Sequence, residues 1–134
     1  MSQTPDETVP IESGDDVIRV RQVVRRWAIR EGFSLVDQTK FVTAASELAR
    51  NTYEHGGGGA MWLERLNGAG RPGLRLTFSD RGPGIPSIEE ALRDGFSTGN
   101  GMGLGLGGAR RLVNEFDIES APGRGTRVTI TRWA

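Results

Sequence analysis

Four consecutive glycines, Gly56, Gly57, Gly58 and Gly59, constrain the fold of this chain more than any other feature. Glycine loses more backbone freedom on folding than any other residue, so a helix does not readily continue through such a run. The segment upstream reads as a helix that must stop there. Phe41, Ala45, Leu48 and Thr52 fall on one stripe, the spacing that buries one helical face. Ser34-Leu35-Val36-Asp37 resembles a capping box at its start. The expected helix therefore opens after Ser34 and ends near His55.

The flanking patterns supply the other elements. Val17, Val20, Val24 and Trp27 predict a helix over 15–31, with Asp15 or Asp16 at its start and Gly32 at its end. Residues 8–13, with Val9 and Ile11 alternating, form a weak strand candidate. Leu74, Leu76 and Phe78 alternate with Arg75, Thr77 and Ser79, so 74–80 reads as a strand, as does 60–66. Residues 67–73 form a hairpin-like connection between them. Further along, 87–94 predicts a short helix, 96–101 a loop and 104–115 a helix carrying Leu104, Leu106, Ala109, Leu112 and Val113. Strands at 116–120 and 127–132 flank a turn at 122–125. Helices and strands do not alternate strictly, which argues against a doubly wound sheet. The economical fold is an α+β two-layer sandwich, a mixed, largely antiparallel sheet covered on one face by helices. The expected organisation is a flexible N-terminus over 1–7 and one domain over 8–134.

Composition narrows the function. The 134 residues carry zero formal net charge, so nothing draws nucleic acid or an anionic membrane to the surface as a whole. There is no cysteine, which removes disulfides, thiolate metal sites and thiol catalysis. The first ten residues are polar and acidic, unlike a signal peptide, and no apolar run approaches the ~20 residues of a membrane span. A cytoplasmic protein is expected. Of 17 basic residues only Lys40 is a lysine. It has no G-x-x-x-x-G-K-[ST] setting, so a P-loop is excluded.

Three clusters carry candidate chemistry. Glu47 and Asn51 stand four apart on one helix and share a face. An amide oxygen is a hard ligand for Mg2+, and a carboxylate can take a proton from a nucleophile; read alone, the two are also an ordinary solvated pair. Asp80 ends a strand and is followed by Gly82, Pro83 and Gly84. That turn lets a flat ligand approach the backbone, and the carboxylate can accept from an exocyclic amine; read alone it is also a plain Pro-Gly turn. Glycines at 99, 101, 103, 105, 107 and 108 lead into a helix, where exposed N–H groups can meet phosphate. Gly103, Gly105 and Gly108 match G-x-G-x-x-G, but a loop precedes them, so this is no dinucleotide fingerprint. His55, the single histidine, reads as a residue capping the helix end. Arg25-Arg26 and Arg110-Arg111 read as solvated faces.

Taken in order, Glu47-x-x-x-Asn51, Asp80-x-Gly82-x-Gly84, Gly101-x-Gly103-x-Gly105 and Gly125-Thr126 resemble the GHKL ATP-binding superfamily of gyrase B, histidine kinases and MutL. The resemblance implies Mg-ATP bound between a helical layer and a lid. Asn51 would hold Mg2+. Asp80 would bind the adenine amine, with Thr126 supporting it through water. Gly82 and Gly84 would line the base, Gly101, Gly103 and Gly105 would serve the phosphates, and Leu104 would be a further ATP-binding residue. From about Thr8 onward the chain is similar to the small anti-sigma-factor and stressosome serine kinases of the RsbT and RsbW type. Ser46-Glu47-Leu48-Ala49-Arg50-Asn51 and Asp94-Gly95-Phe96-Ser97-Thr98 favour the RsbT branch.

That likeness implies a protein-serine kinase whose general base is Glu47 and whose substrate is a STAS-domain protein. It implies partner switching too, with a PP2C-type phosphatase activated in the RsbT branch or a sigma factor held inactive in the RsbW branch. No phosphoacceptor-histidine helix or transducer domain is expected. One departure is visible: Gly99 and Asn100 stand where related lids often carry a basic residue. Phosphate charge then falls to Mg2+, backbone N–H groups or an arginine such as Arg110, and a nucleotide-gated binding module with little catalysis remains an alternative. The periodicity leaves monomer and homodimer both open.

Overall fold

The computed structural model describes residues 4–92 and 105–134. In chain order the elements are β1 (Glu7–Ile11), α1 (Gly14–Arg30), α2 (Leu35–Glu54), β2 (Gly59–Gly68), β3 (Arg71–Asp80), α3 (Ile88–Ala91), α4 (Leu106–Arg111), β4 (Glu115–Ser120) and β5 (Thr126–Trp133). The strands make one sheet in the order β1-β2-β3-β5-β4. Each of its described pairings is antiparallel, the limiting case of the largely antiparallel sheet expected.

One face of the sheet is apolar, and the helices cover it. Val9 pairs across to Met61, Met61 to Phe78, Leu63 to Leu76, and Leu76 and Phe78 to Ile130 and Val128. All of these are buried, together with Phe41, Leu48 and Ala49 of α2 and Val20, Val24 and Trp27 of α1. Burying such a side chain contributes about 1.5–3 kcal/mol, so the alternation in β2, β3 and β5 fixes which face meets the helices.

The helix ends follow local chemistry. Gly32 adopts φ 84°. Its N–H donates to Ile29 O and the Phe33 N–H to Ala28 O, a Schellman closure with Phe33 buried behind it. The expected aspartate cap on α1 is different. Ser13 occupies the cap position without a side-chain bond, and Asp16 Oδ2 reaches back to accept from Glu12 N–H at 2.8 Å. At α2, Ser34 Oγ accepts from Asp37 N–H at 3.1 Å. The Asp37 carboxylate then takes Arg132 Nη2 at 2.6 Å, while Arg132 Nη1 donates to Leu112 O.

Three boundaries differ from the sequence reading. The connection over 67–73 shrinks to Ala69 and Gly70, with φ 54° and 79°. Two positive φ values match the right-handed twist of paired strands, so pairing runs on to Gly68 and Arg71. The helix expected over 104–115 is described only from Leu106 to Arg111. Its last residues leave because Asn114 N–H bonds Thr131 O and Glu115 starts β4. The tail expected over 1–7 already joins the sheet at its end. Asp6 N–H bonds Leu63 O, and Asp6 Oδ2 accepts from Arg65 N–H. Glu7 accepts from Trp27 Nε1 at 2.7 Å; that bond, opposed by burial and aided by Arg26, holds its carboxyl below the usual range.

Candidate functional site

The last turns of α2 bring Glu47, Asn51 and His55 to one side of the helix while Leu48 and Thr52 point into the core. The helix ends with the His55 and Gly56 N–H groups both donating to Asn51 O, at 2.9 and 3.0 Å. Gly56 is pressed against the Asp80 carboxylate, and a Cβ added there would overlap it. The glycine run therefore does more than end a helix, because it seats the acid at the end of β3.

Asp80 lies opposite Gly59 of β2 and Thr126 of β5. Its Oδ1 accepts from Gly82 N–H at 2.9 Å. Burial raises its carboxyl above the ordinary aspartate range, against the lowering effect of N–H groups from Gly82 and Thr126 and the charge of His55. An acid kept half-buried with acceptor capacity facing a cavity is a recognisable binding group.

The turn after Asp80 is held from two sides. His55 Nε2 lies 3.2 Å from Gly84 O, so the tautomer with a proton on Nε2 donates to it. From β4, Ser120 Oγ accepts from Ile85 N–H at 2.8 Å. Gly84, at φ 80°, lets the backbone pass so close to Ala121 O that a side chain would overlap it.

Asn51, His55, Asp80 and Thr126 line one pocket whose apolar walls are Leu48, Phe78, Ile85, Leu106 and Val128. The cavity measures about 20 Å³, room for about one water, so a purine enters only if the walls part. Glu47 is not part of this lining. Its Oε1 pairs with Arg50 at 3.4 Å, and its Oε2 faces the start of α4, where a Cβ on Gly105 would lie 2.6 Å away.

Of the candidates from sequence, Asn51, Asp80 and Thr126 thus meet at the pocket. Gly82 and Gly84 form the turn beside it, and Glu47 with Gly105 stands at the neighbouring α2–α4 contact. Gly101, Gly103 and Leu104, with the segment 94–98, lie outside the described residues. Sequence reasoning missed Gly56 as the seat of Asp80, His55 as the tie to Gly84, and Ser120 altogether. Only His55 carried a signal, its place one helical turn after Asn51. Among the described residues no three or more His, Asp or Glu side chains gather to hold a metal, and no helix is long and apolar enough to cross a membrane.

The chain as a whole is similar to known proteins. Residues 36–133 match the family described as histidine kinase-, DNA gyrase B-, and HSP90-like ATPase. The serine/threonine-protein kinase RsbT of Bacillus subtilis (strain 168) is 43% identical over 118 residues, 88% of this chain and 89% of that protein. An anti-sigma F factor of Thermoanaerobacter sp. (strain X514) is 29% identical over 118 residues, 84% of this chain and 82% of that protein. Among solved structures, the RsbU and RsbW domains of Rv1364c from Mycobacterium tuberculosis superpose with TM-score 0.63 at 22% identity, over 98% of this chain and 33% of that one. The catalytic domain of histidine kinase ThkA gives 0.54 at 17% identity, over 94% and 95%. These two structures show the shared fold; this chain spans only a third of the mycobacterial one.

Proposed function

The chain belongs to the histidine kinase-, DNA gyrase B- and HSP90-like ATPase family and is a serine/threonine-protein kinase, and we propose that it phosphorylates a serine of a STAS-domain protein and switches between that protein and a PP2C-type phosphatase, which it activates. The observation that carries the nucleotide part is the meeting of Asn51, Asp80 and Thr126 at one pocket from three separate elements. Relatives named RsbT and anti-sigma F factor support the partner-switching part.

In this reading Asp80, as carboxylate, accepts from the adenine amine, and Thr126 supports it through water. Gly82 and Gly84 let the base lie against the backbone, Gly101, Gly103 and Gly105 serve the phosphates, and Leu104 is a further ATP-binding residue. Asn51 offers the hard oxygen that fits Mg2+. With no gathering of acids to cage an ion among the described residues, the ion would be shared with the phosphates, as Mg2+ usually is, and would neutralise their charge. Glu47 takes the proton from the substrate serine hydroxyl. The serine oxygen bonds to the γ-phosphorus, the bond from that phosphorus to the bridging oxygen breaks, and ADP leaves. Positioning and charge neutralisation supply most of the acceleration.

Incubation with a STAS-domain protein and labelled ATP tests this. Phosphoserine should form, and Glu47→Ala should slow it by roughly 10²–10⁴-fold, the usual contribution of a general base. No phosphoserine from either protein, or equal rates from both, would remove the kinase assignment of Glu47. The 29% identity to an anti-sigma F factor favours one second reading, in which the alternate partner is a sigma factor held inactive. Co-purification with a phosphatase rather than a sigma factor decides between them.

A further inference from the structure

The two oxygens of Glu47 meet different neighbours. Oε1 lies 3.4 Å from Arg50 Nη1, three residues further along α2, and an acid placed before its cation suits the helix dipole. Oε2 faces Gly105, where an added Cβ would lie 2.6 Å from that oxygen and 3.4 Å from Cβ and Cδ of Glu47. The start of α4 therefore backs the acid along its side chain, and Arg50 takes its tip. Both members of the ion pair are partly open to solvent, with side-chain exposures of 37% for Glu47 and 50% for Arg50. Such a pair changes a folding equilibrium by about fivefold at most, so the fold gains little from it.

We propose that Arg50 is a positioning residue for phosphoryl transfer, acting through Glu47 by holding its carboxylate where the substrate hydroxyl arrives. This rests on the reading of Glu47 as the base that takes the serine proton. A glutamate side chain turns about several torsions, while a base works only within about 2.6–3.2 Å of the atom whose proton it removes. Unheld, the carboxylate spends only part of its time in that geometry. The guanidinium does not block it, because a carboxylate has about four lone-pair sites and Arg50 meets only one oxygen. Two effects of the cation oppose each other. A positive charge resists proton transfer to a neighbouring carboxylate, by about fivefold at most across a solvent-exposed pair. Misplacing a reacting group by about 1 Å costs about a hundredfold. Positioning is the larger effect, so removing Arg50 slows the reaction.

The test follows phosphoserine on a STAS-domain protein with labelled ATP and the full chain. Wild type, Arg50→Gln, Arg50→Lys, Glu47→Gln and the Arg50→Gln/Glu47→Gln double variant are compared, with thermal unfolding of each. Arg50→Gln should lower kcat by about tenfold or more, the balance of the two effects, with KM for ATP within about twofold of wild type. Its unfolding should stay within a few degrees of wild type, as for any exposed pair. Arg50→Lys, which keeps a cation, should recover part of the rate. In the Glu47→Gln background the Arg50→Gln change should have almost no further effect, because a residue acting through another falls silent once that one is gone. Equal losses in both backgrounds overturn the proposal. So does a rate that falls only as the folded fraction falls, or one equal to or faster than wild type in Arg50→Gln. Failure of the underlying reading looks different: Glu47→Gln matches wild type, or wild type forms no phosphoserine, and either result overturns both.

Discussion

The two ends of β3 use the same kinds of residue for different purposes. At one end, Ala69 and Gly70 turn the chain back at positive φ, and a side chain on Gly70 would meet nothing within 4 Å. At the other end, Gly125 also has positive φ, 78°, but a side chain there would overlap Asp80 O and reach Arg81. The first glycine serves the path of the backbone. The second serves the approach of two strands' ends around an acid. Turn chemistry alone does not distinguish them, yet of the two ends it is the Asp80 end that borders the candidate pocket.

Gly125→Ala should separate the two ends most sharply. Forcing a Cβ into backbone at positive φ should cost about 3 kcal/mol or more, so ATP binding should be lost and thermal unfolding should come clearly earlier. Wild-type ATP affinity in that variant would erase the distinction. Next in size, Asp80→Asn should weaken ATP binding by about 1.5–3 kcal/mol, the worth of a hydrogen bond to a charged group, with calorimetric titration as the measure.

The same acid sets a pH dependence. Burial raises the Asp80 carboxyl, so the folded chain holds that proton more tightly than the unfolded chain. This contribution to stability is present below the ordinary aspartate value and is lost as pH rises through the raised one. On the proposed reading, nucleotide binding needs the ionised acceptor and runs the other way. ATP affinity should fall on acidification, beginning at higher pH than an exposed aspartate would give. A titration of Asp80→Asn should lack that transition.

Smaller effects sharpen the comparison. His55→Ala removes the bond to Gly84 O, worth about 1 kcal/mol, and should lower stability by about that much and weaken ATP about fivefold. At the opposite end, Gly70→Ala should cost about 1 kcal/mol of stability from positive φ and leave ATP affinity as it was. A loss of affinity in Gly70→Ala would show that the ends are coupled.

The periodic elements were legible because burial imposes its period on sequence. The stripe Phe41, Ala45, Leu48, Thr52 and the alternation in Leu74, Leu76, Phe78 translate directly into α2 and β3. The end of α4 was not, because Asn114 is drawn off by Thr131 and the Leu112 carbonyl by Arg132, partners far along the chain. Asn51, Asp80 and Thr126 could be singled out as an ordered set, since motif spacing survives in sequence. Ser120 could not, because its place depends on Ile85, Gly125 and Thr126 arriving at one hydroxyl.

By itself the sequence determined the layers, the antiparallel character of the hairpins and a family-like order of acid, amide and glycine. Those follow from local periodicity and backbone freedom, which each segment carries within it. Tertiary structure alone decided that Gly56 seats Asp80 and that His55 and Ser120 pin the same turn. Each of these depends on overlap or hydrogen-bond reach between groups from different strands and helices, quantities that exist only once the chain has folded.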